Sequence, residues 1–289
     1  MRPEGLTTKI FLDGGDPHET KEIAELLGFL DGQTTNPTLI SQNPAARKRL
    51  EKGNKFSEEE IYNFYHFVVT ELSGMMPQGS ISIEVYADPS TESGEMLRQG
   101  RKMFGWIPNA QIKFPTSREG LKAAEQAVSE GIRVNMTLCF TQEQAAAVYA
   151  ATRGAKRGGV YVSPFVGRLD DRGEKGMDLI ANIITMYKKG NAHVEVLTAS
   201  VRSLDHFLYA IRLGSDIVTV PFAILKDWGE KGMPLPGNDY RYDPKGLNPI
   251  PYQPLDLSRK WDEYDIAHDL TAKGMERFSA DWKSLIRSQ

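Results

Sequence analysis

A single lysine stands in the middle of a short apolar segment, an unusual place for a charged side chain. The segment covers residues 110–115, and Lys113 lies between Ile112 and Phe114. Such a run is typical of a β strand, where side chains alternate, so Lys113 points away from the face that carries its apolar neighbours. If Lys113 faces the inside of a barrel, burial disfavours the charged ammonium, and the neutral amine is a nucleophile. From this segment alone, the alternative is a lysine at a sheet edge that extends to solvent.

Other side chains that can move protons or bind anions lie within or just after further apolar segments. They are Asp13, Asn36, Glu84, Thr137, Ser163, Arg168, Ser200 and Arg202. Each has an ordinary structural explanation by itself, as a turn residue, a helix cap, a strand former or a solvated loop cation. If the segments are parallel strands of one barrel, however, their C-terminal ends meet at the face where such enzymes place their chemistry. The sequence therefore predicts that these side chains converge around Lys113.

Eight short apolar segments, each typical of a strand, alternate with helix-like segments between residues 9 and 221. The predicted strands are 9–13, 32–36, 81–86, 110–115, 134–140, 160–166, 193–200 and 216–221. Strict alternation indicates a parallel α/β sheet, and the number eight favours closure into a (β/α)8 TIM barrel. An open doubly wound sheet is the alternative, but Gly14-Gly15 after the first strand lacks the G-x-G-x-x-G spacing of a dinucleotide-binding turn.

The C-terminal part has a different character. Residues 228–257 are rich in glycine, proline and aromatic residues and cannot be regular throughout. Residues 264–286 then read as an amphipathic terminal helix, whose candidate buried positions are Leu270, Met275, Phe278, Trp282 and Leu285. We interpret residues 1–289 as a single domain, with the barrel at about 9–225 and the Pro-rich segment and terminal helix at 226–289.

Composition restricts the possible partners. The chain has 289 residues, is 40% hydrophobic, and carries a formal net charge of -3 with a pI near 6.0, so it has no general attraction to nucleic acid or anionic membranes. Phosphate binding would have to be local. No segment is long and apolar enough to be a membrane span or a signal peptide. The single cysteine, Cys139, argues against a disulfide framework, and we expect a cytoplasmic protein.

Four motifs in chain order resemble those of the transaldolase family. They are Thr34-Thr-Asn-Pro-Thr-Leu39, Ile112-Lys-Phe-Pro followed by Glu119-Gly-Leu121, Gly131-Ile-Arg-Val-Asn-Met-Thr137, and Ser163-Pro-Phe-Val-Gly-Arg168. The resemblance covers residues 9–225, together with a terminal helix of similar type. It departs from the family at Gln33, at Phe114, in the basic turn 153–159 and most of all in residues 228–257.

The resemblance implies a Schiff-base mechanism on sugar phosphates without a metal or an organic cofactor. Lys113 would form the imine, Asp13 would remove the C4 hydroxyl proton, and Glu84 and Thr137 would activate water. Asn36, Ser163 and Phe165 would contact the sugar, and Arg168, Ser200 and Arg202 would bind its phosphate. We expect transfer of a dihydroxyacetone unit from a ketose phosphate to an aldose phosphate in the pentose phosphate pathway.

Two alternatives remain open at this point. A fructose 6-phosphate aldolase uses the same lysine but releases dihydroxyacetone; that relative has glutamine and tyrosine at the positions of Glu84 and Phe165, so both residues favour the transferase. A catalytically silent barrel that binds sugar phosphates is the second alternative. An apolar terminal helix and an aromatic-rich segment are also compatible with a homo-oligomer of undetermined size.

Overall fold

A closed parallel barrel forms the centre of the computed structural model, which describes residues 1–244 and 246–287. Its strands are β1 (Lys9–Asp13), β2 (Gly32–Thr34), β3 (Ser80–Glu84), β4 (Ala110–Pro115), β5 (Val134–Cys139), β6 (Val160–Pro164), β7 (Val194–Thr198) and β8 (Ile217–Pro221). Each strand pairs in parallel with the next along the chain, and β8 pairs with β1. The prediction of a (β/α)8 barrel is confirmed.

Helices alternate with these strands and surround them. They are α1 (Pro17–Leu27), α2 (Pro37–Gln42), α3 (Pro44–Glu51), α4 (Glu58–Met75), α5 (Ser93–Phe104), α6 (Arg118–Ser129), α7 (Gln142–Ala151), α8 (Val166–Asp170), α9 (Gly176–Tyr187), α10 (Leu204–Leu213), α11 (Phe222–Glu230) and α12 (Asp269–Leu285). Local sequence sets several of their ends. Asp16 caps α1, and Ser57 with Glu60 forms a reciprocal capping box at α4. None of the described helices is both long and apolar enough to cross a membrane.

Four of these helices are short, and the last of them extends into the start of the Pro-rich segment. Helices α2 and α3 each begin with proline after an asparagine cap, Asn36 and Asn43, a start signal that short length and low apolar content concealed. Helix α8 is a short helix of five residues. Helix α11 buries Trp228 completely, so this residue belongs to the barrel rather than to the irregular segment. The terminal helix starts at Asp269, later than the predicted residue 264.

Strand β4 shows how alternation directs its side chains. An ideal Cβ placed on Gly100 of α5 would lie 2.8 Å from Phe114 Cζ and 3.3 Å from Ile112 Cγ2. Ile112 and Phe114 therefore pack outward against α5, at a point where only glycine leaves enough room. Lys113, between them, faces the barrel interior, as the alternation predicts.

The irregular segment, residues 231–260 apart from 245, runs along the outer helices of the barrel; we call it the strap. Its hydrogen bonds and those of the adjoining 3₁₀ helix (Trp261–Glu263) connect it in turn to α10, α9, α7 and α6. They are Tyr240 Oη to Asp205 Oδ1 (2.7 Å), Asn182 Nδ2 to Ile250 O (2.9 Å), Gln253 N to Gln142 Oε1 (2.8 Å) and Trp261 Nε1 to Glu125 Oε2 (3.1 Å). The chain therefore runs around the outside of the barrel in the strap, and α12 follows it at the C-terminal face.

Helix α12 docks on that face through its apolar side and through small residues. Thr271 Oγ1 donates to Leu138 O at 3.0 Å, and an ideal Cβ on Gly274 would lie only 2.5 Å from Leu138 Cδ2. Leu138 itself adopts φ 59° beside an irregularity in the β5–β6 pairing. Trp282 packs on Tyr65 of α4, with ring centroids 5.9 Å apart. Of the residues expected to be buried on α12, only Leu270 is partly exposed.

Candidate active site

A cavity of about 490 Å³ opens at the C-terminal face of the barrel. Nine of the ten site residues expected from the sequence line its wall. They are Asp13, Asn36, Lys113, Thr137, Ser163, Phe165, Arg168, Ser200 and Arg202. Glu84, the tenth, lies directly against Lys113 and is 5% exposed. The ends of seven strands thus bring the expected side chains to one place, as a parallel barrel requires.

Lys113 and Glu84 form a buried ion pair. Lys113 Nζ lies 2.7 Å from Glu84 Oε2 and donates to the backbone oxygen of Thr35 at 2.9 Å. The two residues are register partners in the β3–β4 ladder, so the backbone itself sets their separation. Burial raises the pKa of the Glu84 carboxyl, although the Lys113 charge opposes the shift. A carboxylate of this kind can accept a proton from the lysine and leave a neutral amine.

Tyr65 of α4 supports this pair from behind. Its hydroxyl accepts a hydrogen bond from Glu84 N at 3.0 Å and lies 2.5 Å from Thr35 Oγ1. Because Thr35 Oγ1 donates to Ser82 O, the Tyr65 hydroxyl supplies the proton for the contact with Thr35. Tyr65 is completely buried and therefore fixes the two backbone segments that hold Lys113. No sequence signal indicates this role, because Tyr65 occupies an ordinary core position on an amphipathic helix.

Asp13 reaches the cavity from the end of β1. Thr34 Oγ1 donates to Asp13 Oδ1 at 2.7 Å, and Thr219 Oγ1 lies 2.6 Å from the same threonine oxygen. Burial raises the pKa of Asp13, while the positive charge of Lys113 and the bond from Thr34 oppose the shift. The residue is partly exposed to the cavity although protein atoms surround its carboxylate. It is therefore a base of raised affinity for protons next to the lysine.

Of two polar β5 residues near the cavity, Thr137 lines its wall and Asn135 contacts another wall residue, Ser163. Thr137 Oγ1 is fully buried and has no hydrogen-bond partner within the described part of the chain. Asn135, below it, donates through Nδ2 to Ser82 Oγ at 3.0 Å and accepts from Ser163 Oγ at 2.6 Å. Asn135 thus orients Ser163, a function that the sequence-based site prediction missed. The unpaired hydroxyl of Thr137 offers both a donor and an acceptor to a ligand near Lys113.

Asn36 has a structural role as well as a place at the site. Its Oδ1 accepts from Leu39 N at 2.9 Å and caps α2. Since that bond uses only the oxygen, the amide Nδ2 keeps its two donors, and the residue is part of the cavity wall. The ordinary explanation and the functional one therefore apply together.

Arg168 and Arg202 lie at the mouth of the cavity. Gly167 lets α8, which carries Arg168, approach the loop that carries Arg202, because an ideal Cβ there would lie 2.5 Å from both Arg202 Cγ and Ser200 O. Ser200 adopts φ 58°, a backbone conformation that is costly without glycine and is typical of functional sites. Arg202 pairs with Asp171 at 2.8 Å. Arg168 pairs with no carboxylate among the described residues, and burial is the main reason for its lowered pKa.

Helix α12 adds two residues to the cavity wall that the sequence-based prediction did not include, Arg277 and Phe278. Phe278 was expected only as a buried contact. Its ring lies 5.7 Å from Arg168 Cζ, and the ring of Phe165 lies 5.9 Å from the same atom. The guanidinium of Arg168 is thus held between two aromatic side chains.

The arrangement combines three chemical capabilities. The first is a buried lysine with an adjacent carboxylate able to accept its proton, which is what nucleophilic attack on a carbonyl needs. The second is a separate carboxylate, Asp13, placed for proton transfer within the same cavity. The third is a group of guanidinium side chains at the mouth, suited to an anion such as phosphate.

Comparison with known proteins shows the family of this chain. The chain matches the family described as Transaldolase/Fructose-6-phosphate aldolase over residues 10–289. It is 33% identical to a probable transaldolase of Dehalococcoides mccartyi over 96% of this chain and 99% of the relative. For probable transaldolases of Herpetosiphon aurantiacus and Caulobacter vibrioides the identities are 34% and 36%, over 96% and 97% of this chain and 96% and 99% of the relatives. The chain therefore belongs to the transaldolase/fructose-6-phosphate aldolase family.

Proposed function

We propose that this protein is a transaldolase that transfers a dihydroxyacetone unit from a ketose phosphate to an aldose phosphate. The donor would be sedoheptulose 7-phosphate or fructose 6-phosphate, and the reaction belongs to the pentose phosphate pathway of the cytoplasm. The observation that carries the proposal is the position of Lys113 Nζ, 2.7 Å from Glu84 Oε2, in a cavity that is also lined by the guanidinium groups of Arg168 and Arg202.

The first step is formation of an imine. Glu84 accepts a proton from Lys113, and the neutral amine attacks the C2 carbonyl carbon of the ketose. The resulting carbinolamine loses its hydroxyl group as water, and a protonated imine remains. Glu84 and the hydroxyl of Thr137 would give a proton to the departing water and guide the reverse hydrolysis, since Glu84 contacts Lys113 and Thr137 Oγ1 has no partner among the described residues.

The second step is cleavage of the C3–C4 bond. Asp13 removes the proton from the C4 hydroxyl, the C4 oxygen forms a carbonyl, and the bonding electrons move into the imine to give an enamine on Lys113. The raised pKa of Asp13 suits it to accept this proton. The shortened aldose phosphate leaves, an acceptor aldose phosphate binds, and the enamine carbon attacks its aldehyde as Asp13 returns the proton.

The phosphate of each sugar would bind at the mouth. Arg168 and Arg202 supply planar guanidinium donors, and Ser200 supplies a hydroxyl, in a protein whose overall charge would otherwise repel anions. Asn36 and Ser163, which line the same cavity, would hydrogen-bond the sugar hydroxyls. Both products and substrates share these contacts, which favours exchange of one aldose phosphate for another.

The aldolase alternative differs in the fate of the enamine. Release of free dihydroxyacetone requires protonation of the enamine carbon before an acceptor arrives. Phe165, which lines the cavity, has no hydroxyl to deliver or orient a proton donor there, and this favours transfer. The test is incubation with fructose 6-phosphate, with and without erythrose 4-phosphate. Sedoheptulose 7-phosphate formed only with the acceptor supports the transferase, whereas dihydroxyacetone released without acceptor at the turnover rate identifies an aldolase.

A further inference from the structure

The cation group at the cavity mouth includes a side chain outside the barrel strands and their loops. Arg277 lies on α12 and lines the same cavity as Arg168 and Arg202. Its side chain is 62% exposed, and its carboxylate neighbour, Asp281, is 4.0 Å away. Asp281 is also the acceptor for the hydroxyl of Thr38. Within the described residues, Arg277 therefore has only a distant partner for its charge.

Three guanidinium groups at one cavity mouth repel each other unless an anion lies among them. After burial, the charges of Arg277 and Arg202 are the next largest reasons why the pKa of Arg168 is lowered. The carboxylate of Asp171 pairs directly with Arg202 and so compensates mainly that residue. Arg168 and Arg277 are left as the two incompletely compensated cations. A phosphate monoester carries about -1.5 to -2 charges at neutral pH, which matches two such cations.

Packing of α12 on the barrel fixes the backbone of Arg277 beside the cavity. The next residue, Phe278, is buried and lies against Arg168, so one turn of helix contacts the anion site twice. The helix is fixed at one end by the hydrogen bond from Thr271 to Leu138 O and at the other by the packing of Trp282 on Tyr65. The Cα of Arg277 is therefore held at the rim while its long side chain can move onto a ligand.

We propose that Arg277 is the third cation of the phosphate site and determines the preference for phosphorylated over unphosphorylated sugars. This inference rests on the proposed function for its substrate class. The C-terminal helix then completes the site: Arg277 contacts the phosphate directly, and Phe278 positions Arg168.

A binding experiment with inorganic phosphate tests the proposal without requiring activity. The change is Arg277→Gln, and the matched control is Lys273→Gln, one turn earlier on α12, exposed and paired with Asp269 at 3.1 Å. Thermal unfolding is followed as phosphate replaces chloride at constant ionic strength, and affinity is taken from the rise in melting temperature. We expect Arg277→Gln to bind phosphate at least about tenfold more weakly, which corresponds to about 1.4 kcal/mol. The wild type and Lys273→Gln should bind equally, and Arg277→Lys should lie between.

Activity gives a second measurement. Arg277→Gln should raise KM for fructose 6-phosphate at nearly constant kcat, while the rate with unphosphorylated fructose stays unchanged. Equal phosphate affinity for Arg277→Gln and the wild type, or absence of phosphate binding by the wild type, would overturn the proposal. If phosphate binding depends on Arg277 but no ketose phosphate can be trapped on Lys113, the proposed function fails and the anion site stands.

Discussion

Lys113 and Glu84 are direct neighbours in the β3–β4 ladder, and their side chains meet inside the barrel with Nζ 2.7 Å from Oε2. This pair differs from an isolated buried salt bridge because each partner has a second support. The lysine donates to the backbone oxygen of Thr35, and the backbone N–H of Glu84 is held by Tyr65. The pair is thus fixed in position from both sides.

Replacement of Lys113 by methionine should abolish the reaction without unfolding the protein. Methionine keeps most of the side-chain volume, and burial raises the pKa of Glu84, so the remaining carboxyl can become neutral rather than stay as an unpaired charge. We expect no detectable transfer and a melting temperature close to that of the wild type. Transfer assays and thermal unfolding check these two expectations. Borohydride reduction with fructose 6-phosphate, followed by peptide mass analysis, checks the imine itself.

The control for this change is Lys122→Met, which removes an exposed lysine paired with Glu119 on α6. It should retain both activity and the mass increase at Lys113. An unchanged mass of the Lys113 peptide in the wild type, under conditions where the sugar is turned over, would contradict the imine mechanism.

Asp13→Asn should separate activity from stability. Asparagine keeps an oxygen to accept the bond from Thr34, but it cannot accept the C4 hydroxyl proton, and kcat should fall by about 10²- to 10⁴-fold. Because burial raises the pKa of Asp13 in the folded state, its ionisation costs stability as the pH rises from the unfolded-state pKa through the folded-state pKa. The asparagine variant should therefore be at least as stable as the wild type at neutral pH. Parallel kinetic and thermal measurements check both parts.

The same shift predicts the acidic side of the pH profile. The groups that face the Asp13 carboxylate are the Lys113 ammonium and the Thr34 hydroxyl. Both favour the ionised form of Asp13, but burial disfavours it more strongly, so the pKa is raised. The base form should consequently be lost at a pH above the ordinary aspartate value of about 3.9 as conditions become acidic. A profile of kcat/KM whose acidic limb lies at or below that value would exclude Asp13 as the base described here.

Sequence patterns were sufficient for the barrel and for the inward direction of Lys113, because strand alternation and strand count are local properties. They were sufficient for the buried face of α12, where Met275, Phe278 and Trp282 recur at helical spacing. Sequence patterns were not sufficient to predict which surface of the barrel the buried face of α12 packs against. Periodicity indicates which residues avoid water, but the partner surface depends on the path of the strap, and so Arg277 could not be placed at the cavity. Tyr65 was missed for a similar reason, since the hydrogen-bond partners of its hydroxyl, Thr35 just after β2 and Glu84 in β3, are distant from it in sequence.

Tyr65→Phe should weaken catalysis through position alone. The change removes the acceptor for the Glu84 N–H and the donor to Thr35, and an unpaired buried N–H costs about 1–3 kcal/mol. We expect kcat to fall by up to about 10²-fold as the lysine pair loses its alignment, with little change in KM. The control is Tyr62→Phe on the same helix, whose hydroxyl makes a longer bond of 3.3 Å to Gln99. Equal kcat for both variants would remove Tyr65 from the positioning role.

Gly274→Ala should loosen the contact between α12 and the barrel. The new Cβ would lie 2.5 Å from Leu138 Cδ2, in a contact that is already fully buried. Overpacking of this kind costs about 1–3 kcal/mol, whereas alanine gains at most about 1 kcal/mol in helix propensity, so the free energy of unfolding should decrease. Gly74→Ala, where nothing lies within 4 Å of the new Cβ, should instead increase it by about 0.5–1 kcal/mol.

The functional consequence distinguishes a docking contact from a merely crowded one. If α12 carries the third cation, its displacement by the residue 274 side chain should weaken phosphate binding together with stability, because Arg277 and Phe278 follow on the same helix. Leu138 also follows Thr137 in β5, so a shift absorbed by the strand would lower kcat instead. Loss of phosphate affinity at nearly constant kcat therefore indicates movement of the helix. A lower melting temperature with phosphate affinity and kcat both unchanged would show that the position of α12 has no part in the reaction.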